Sequence, residues 1–406
     1  MKKPELLAPA GNPENLKVAF AYGADSVYLA GKKYGLRAKA DNFTLDEIKE
    51  STVFAHSIGK KVYVTLNIIP HNEDLADLPS YIKELENSKV DGIIASDPGI
   101  ISLIKENSPP MPIHLSTQAN NTNYKSACFW HASGIKRITL ARELSLEEIK
   151  EIVSKTPGTL ELEVFVHGSI CIAYSGRCML SLYMVNRDAN RGNCAQACRW
   201  NYSVQEKQRP GEYFDVFEGD EGSYIFNSKD LCLLEQVPEL INAGVTSFKI
   251  EGRMKSSYYV AVVTKAYRNI IDAYLKNPES YKPDPLIYKE AEKVNHRKYS
   301  TGFFNAKPGS DKYIYDSPGY TYPYLYLGIV LAYDPATALA TVYQQNKIVC
   351  GDEIEVIGPA RDFFTQTVDE MFNDKNEPVT SALSAQCTTK IKMSRPVKPL
   401  DMLRKK

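Results

Sequence analysis

The chain has 406 residues, enough for two domains and a large core, so stability does not depend on a disulfide framework. Its 49 basic residues balance its 49 acidic ones, which excludes nucleic-acid binding by the surface as a whole and leaves only a local patch for it. The start, Met1 to Leu7 with Pro9 and Gly11 close behind, lacks the apolar core of a secretion signal, and no apolar run reaches the ~18 residues of a membrane span, so a soluble cytoplasmic protein is expected.

Up to about residue 277, short apolar runs alternate with amphipathic stretches, the mark of parallel β/α architecture. Strands are expected at 5–8, 26–30, 62–67, 92–96, 113–116, 137–140, 160–166 and 247–251. Helices are expected between them at 13–21, 45–57, 78–86, 100–106, 124–132 and 146–154, then at 231–242 and 256–275. This pattern predicts an α/β fold, a (β/α)8 TIM-like barrel over residues 1–280. The connection after the seventh strand, residues 168–230, is far too long for a simple loop and reads as a Cys-rich insertion at the end of the barrel where active sites form. A helical linker is expected over 281–320, followed by a small C-terminal β-barrel domain over 321–406, with a role in positioning substrate.

Five of the eight cysteines, Cys171, Cys178, Cys194, Cys198 and Cys232, fall in or beside that insertion with the spacing C-x6-C-x15-C-x3-C-x33-C. Thiolates gathered from several loops suit an iron–sulfur cluster or zinc, and spacing alone leaves both open. A radical-adenosylmethionine run is not supported, because Cys198 is followed by Arg199, Trp200 and Asn201. Arg177, Arg187, Arg191, Arg199 and Arg209 are interleaved there with Tyr174, Tyr183, Trp200 and Tyr202, a mixture able to grip phosphates and stack bases. The same arginines could equally offset the charge of the thiolates.

Residues two apart on a strand share a face, so Glu161, Glu163, Phe165 and His167 are expected to point to the barrel axis, with Ser247, Lys249 and Glu251 from the last strand. Tyr63, Thr65, Asn67, His114, Ser116 and Gln118 join them. Such polarity needs an internal network or a ligand. His167, Glu251 and Arg253, at the strand ends, are read as catalytic, together with Lys249 and Glu163, for which a structural ion pair is the competing reading. Asn67 and Gln118 are candidate substrate contacts, as are Arg187, Arg191, Arg199 and Trp200.

The run Glu163-Val-Phe-Val-His-Gly-Ser-Ile-Cys-Ile-Ala-Tyr-Ser-Gly-Arg-Cys178-Met-Leu-Ser181 resembles the signature of the U32 collagenase-like peptidase family. Leu7-Ala-Pro-Ala-Gly11, Asn186-Arg-Asp188, Gly192-Asn-Cys-Ala-Gln-Ala-Cys-Arg199, Ser228-Lys-Asp-Leu-Cys232 and Phe248-Lys-Ile-Glu-Gly-Arg-Met-Lys255 resemble it too, with Ala197 where many relatives have proline. The resemblance implies a [4Fe–4S] cluster on Cys171, Cys178, Cys194 and Cys232, with Cys198 as the alternative ligand in place of Cys194 or as a fifth, unligated thiol. It further implies hydroxylation of a base without molecular oxygen: full-length members with a C-terminal β domain are implicated in forming 5-hydroxyuridine at the tRNA wobble position, with prephenate required. Expected partners are tRNA and a second U32-type or electron-donor protein, with no membrane. The family name carries the alternative of a collagenase-like peptidase, but the chain has no H-E-x-x-H or G-x-S-x-G motif, which leaves a cysteine nucleophile paired with His167. A third alternative is a zinc-stabilised RNA-binding protein.

Overall fold

The computed structural model describes residues 2–36, 41–200, 228–305, 320–382 and 386–406. Its first domain is a closed barrel built from β1 Glu5–Pro9, β2 Ser26–Leu29, β3 Lys61–Leu66, β4 Gly92–Ala95, β5 Ile113–Leu115, β6 Arg137–Thr139 and β7 Glu161–Ser169. A short strand β8, Asp230–Cys232, intervenes before β9, Ser247–Ile250, closes the ring by pairing in parallel with both β7 and β1. Helices start where the sequence places a cap: the Asn12 side chain accepts the Asn15 N–H at 2.9 Å ahead of the helix Pro13–Ala21. Thr44 and Ser145 form reciprocal capping boxes with Glu47 and Glu148. Such caps contribute about 1 kcal/mol each.

Period-two alternation divides the strands between two environments. Leu6, Val27, Val64, Ile93, Leu115, Ile138, Leu162 and Phe248 face outward into the main core against the helices. Leu7, Tyr28, Tyr63 and Ile94 form a separate small apolar cluster in the lumen. The alternation fails at one expected position. The register between β7 and β9 shifts between Phe165 and His167, so Phe165 pairs with Lys249 while His167 pairs with the outward-facing Ile250. The bulge turns His167 out of the lumen and into the helix layer.

The segment 231–242, expected as one helix, is instead β8, antiparallel to β7, followed by the short helix Val237–Asn242. Asp230 sets this arrangement: its carboxylate accepts from the backbone N–H and guanidinium of the fully buried Arg297, with N···O distances of 2.5 to 3.0 Å. That contact holds β8 against the strand Tyr299–Ser300. Among its described residues, the region expected as a helical linker carries the helix Pro285–Ala291 and the short strands His296–Arg297 and Tyr299–Ser300, the second attached to the barrel sheet. At Gly168, φ is 107° and a Cβ would come within 2.5 Å of the Glu251 carbonyl oxygen, so only glycine lets β7 run this close to the end of β9.

The C-terminal domain is an eight-stranded antiparallel sheet with its own core, including Leu327, Val342, Ile354, Phe364, Ile391 and Leu403. Arg404, fully buried, is held within the domain by Glu355 at 2.7 Å and ties it to the preceding part of the chain by donating to Glu290 at 2.7 Å and to the Tyr258 hydroxyl at 3.1 Å. Tyr258 and Tyr326 stack across the junction with centroids 5.4 Å apart. No helix among the described residues is long and apolar enough to cross a membrane.

Candidate active site at the barrel mouth

A cavity of about 130 Å³ lies over the C-terminal ends of the strands, where barrel enzymes place their chemistry. Its inner wall comes from lumen-facing residues, among them Tyr28, Thr65, Phe165 and Lys249, and its roof from the Cys-rich segment. Lys249 Nζ donates to Glu163 at 3.0 Å and sits 4.7 Å above the Tyr28 ring. Beneath it Glu163 accepts from the Thr139 and Ser247 hydroxyls at 2.7 and 2.8 Å and stands 3.4 Å from Arg137. Burial alone favours the neutral acid, but the charges of Lys249 and Arg137 outweigh it and hold the Glu163 carboxyl down at about 2. Arg137 continues the network to Glu5 and Glu161 at the closed end of the barrel. Glu163 therefore sits below the cavity as the partner of Lys249, and Lys249 itself reaches the cavity wall.

Higher up, Glu251 Oε2 lies 3.1 Å from the Tyr28 hydroxyl, and Glu251 and Arg253 line the cavity, with Arg253 only 5% exposed. Asn67 lines it too and accepts the Leu36 N–H at 3.2 Å. Gln118 holds Ser116 through its amide oxygen at 3.3 Å, whereas its Nε2 is buried with no hydrogen-bond partner. The Thr65 hydroxyl is buried in the same state on the same wall. Two orphaned polar groups facing one cavity are the pattern expected of a site built for a polar ligand.

Cys171, Cys178, Cys194 and Cys198 all line this cavity. Burial pushes the Cys198 thiol up, and the proximity of Cys171, Cys194 and Cys178 pushes it the same way. The Cys194 sulfur accepts the Gln196 N–H at 3.3 Å, and Arg187 holds that loop by donating to the Cys194 carbonyl at 3.2 Å and to Asn193 at 3.0 Å. Cys232, which the resemblance places in the ligand set, is not among the residues lining this cavity. It lies opposite His167 in the β7–β8 pair and packs against the main core, and burial pushes its thiol up to about 12.

His167 is almost fully buried, with ring centroids of Tyr259, Tyr267 and Tyr299 within 6.0 Å and its Nδ1 3.4 Å from the Tyr267 hydroxyl. Burial lowers its pKa to about 3, so it is a neutral ring of the helix layer, and the cavity wall does not include it. Arg191 is engaged as well, bonded to Asp74 at 2.6 Å and to Glu73 at 3.4 Å. Arg199 donates to Gln196 at 2.8 Å and to Tyr320 at 3.3 Å, beside Trp200, which is 38% exposed. Arg187, Arg199 and Trp200 line an outer cavity of about 580 Å³ that shares Cys171, Cys194, Cys198 and Glu251 with the inner one. Arg209 and Tyr202 lie outside the described residues.

Sequence reasoning missed Arg142. It lies 4.9 Å over the Phe165 ring and donates to the Ser169 carbonyl and the Ser175 hydroxyl at 2.7 and 2.8 Å, fastening the start of the cysteine segment to the end of β6. Its one signal was its position two residues past the expected strand 137–140; strand alternation alone would have put it on the outward face of Ile138 and Leu140.

The model of peptidase family U32 matches residues 11–313, and that of the U32 C-terminal domain matches residues 323–404. The chain belongs to the U32 family. It is 42% identical over 405 residues to tRNA hydroxylation protein P1 of Bacillus subtilis, covering 100% of this chain and 95% of the relative. It is 39% identical to tRNA hydroxylation protein P of Escherichia coli, with 94% and 92% covered. A third relative, the 23S rRNA 5-hydroxycytidine C2501 synthase of Escherichia coli, is 37% identical over 77% of this chain and 47% of its own length.

Proposed function

We propose that this U32 protein is an RNA-hydroxylating enzyme whose substrate is the wobble uridine of tRNA, converted to 5-hydroxyuridine without molecular oxygen and in dependence on prephenate. The observation that carries this reading is that four cysteines line the same cavity as Lys249, Glu251 and Arg253. The names of the relatives, which hydroxylate tRNA and an rRNA base, support the substrate class.

In this reading Cys171, Cys178, Cys194 and Cys198 hold a [4Fe–4S] cluster. Among the described residues, no three His, Cys, Asp or Glu donors converge on one ion position. Four thiols lining one cavity suit the separate iron corners of a cluster. When bound, the cluster supplies one-electron chemistry at the cavity roof, and a partner protein exchanges the electrons.

The chain's own residues receive and orient the base. A uracil edge carries two carbonyl acceptors and one N–H donor, which the Gln118 amide and the Thr65 hydroxyl complement from the buried wall. Lys249 places a positive charge at the inner end, locked by Glu163, and with Arg253 suits a carboxylated co-substrate such as prephenate. Peptidase chemistry through a Cys232–His167 pair has the opposite electrostatics: burial raises the thiol and lowers the imidazole, disfavouring a thiolate–imidazolium pair.

Anaerobic purification tests the cofactor. A brown protein containing iron and sulfide supports the reading, and a colourless protein containing zinc overturns it. Nucleoside mass spectrometry of tRNA from a strain deleted for every U32 chain and complemented with this one tests the reaction.

A further inference from the structure

The outer cavity continues beyond the cysteines. Lys255 also lines a third cavity of about 590 Å³, in the cleft between the barrel and the C-terminal domain. Along this path runs a row of aromatic side chains, from Trp200 to Tyr320 and then Tyr322, the last 71% exposed and with its ring centroid 6.3 Å from that of Tyr320. Cations accompany the row: Lys255 Nζ lies 4.8 Å from the Tyr320 ring centroid, and Arg199 donates to the Tyr320 hydroxyl. The cleft beyond offers the amide side chains Gln345 and Gln386 beside Tyr322.

The walls of this cleft are fixed before anything binds. Tyr258 and Tyr326 stack across it nearly parallel, at 9°, the Ser257 and Tyr326 hydroxyls meet at 3.3 Å, and the buried Arg404 ties both domains together behind them. A pre-formed cleft at a domain junction loses little ordering entropy on binding. Aromatic faces interleaved with cations, leading to amides, suit unstacked bases with their phosphates on the Lys255 and Arg199 side. Glu14 and Asp41 also line the cleft, and their charge disfavours phosphates on that part of the wall.

We propose that this track binds single-stranded RNA, holding the nucleotides next to the modified base on Trp200, Tyr320 and Tyr322 and so making the C-terminal domain part of the substrate site. The inference rests on the RNA-hydroxylase reading above. It adds residues outside the cysteine cavity and a role for the domain junction.

The test uses the full-length, cluster-loaded protein, an anticodon stem-loop RNA carrying 4-thiouridine beside the target base, and the variants Tyr322→Ala and Tyr322→Trp. Stacking of one base predicts that Tyr322→Ala raises Kd by about 5- to 100-fold, while Tyr322→Trp stays within about threefold of the wild type. Crosslinked peptides are expected to include Tyr322. If the wild type binds and hydroxylates the RNA but Tyr322→Ala leaves Kd unchanged and crosslinks appear only at the cysteine cavity, the track is wrong while the enzyme reading stands. If the wild type binds no RNA, both fall.

Discussion

Lys249 Nζ lies 3.0 Å from Glu163 Oε1, and both side chains are almost wholly buried under the candidate active site. The pair is at once a structural lock and the means of fixing a positive charge at the inner end of the cavity. Glu163→Gln leaves Lys249 and Arg137 short of a buried counter-charge and is expected to cost about 3–5 kcal/mol of stability in urea unfolding. The pH dependence follows from the lowered carboxyl. Its contribution is complete above the ordinary glutamate range near pH 4.5 and is lost as pH falls towards about 2, a slope that Glu163→Gln removes.

Cys198 and Cys232 separate cleanly by position. Cys198→Ser is expected to lower bound iron and sulfide substantially after anaerobic purification. Cys232→Ala is expected to retain them while losing about 1 kcal/mol of stability, because it removes only a sulfur packed against the core. Iron analysis of the two variants side by side checks this, and the reverse pattern would restore Cys232 as a ligand.

His167 titrates in the folded state at about 3, well below its ordinary value near 6.5. The unfolded chain therefore binds a proton that the native chain refuses throughout that interval. Stability falls as pH drops from about 6.5 towards 3, by up to roughly 5 kcal/mol from this one group. His167→Phe is expected to flatten that part of the stability profile. The variant should keep hydroxylation per folded molecule, since His167 belongs to the helix layer and not to the cavity wall.

The Thr65 hydroxyl is buried without a partner. Thr65→Val keeps the shape and removes the orphaned group, so thermal stability is expected to hold or rise by about 1 kcal/mol. RNA turnover should fall about tenfold in kcat/KM, the loss of one ligand hydrogen bond in a buried site. Stability and kinetics moving in opposite directions distinguish this role from a structural one.

The barrel was legible because its strands obey the two-residue alternation, and Leu6, Val27 and Val64 faced outward as their pattern required. The Glu163–Lys249 contact followed from the same rule applied to neighbouring strands. His167 was misplaced because a bulge inserts one residue into β7, and no local feature of the apolar run Val164 to Val166 announces it. The position of Cys232 was not legible from spacing: the Asp230–Arg297 contact supports the short strand that sets Cys232 opposite His167. Arg191 looked available for phosphates because its partners, Glu73 and Asp74, lie more than a hundred residues away in the chain. Contacts of that range are invisible to local spacing.

The most direct measurement is nucleoside mass spectrometry of tRNA from a strain lacking all U32 chains, complemented with the wild type, Cys198→Ser or Lys249→Met. The account predicts 5-hydroxyuridine restored by the wild type and absent with both variants. Restoration by Cys198→Ser at wild-type levels, or no 5-hydroxyuridine with a wild-type protein that carries its cluster, would contradict it.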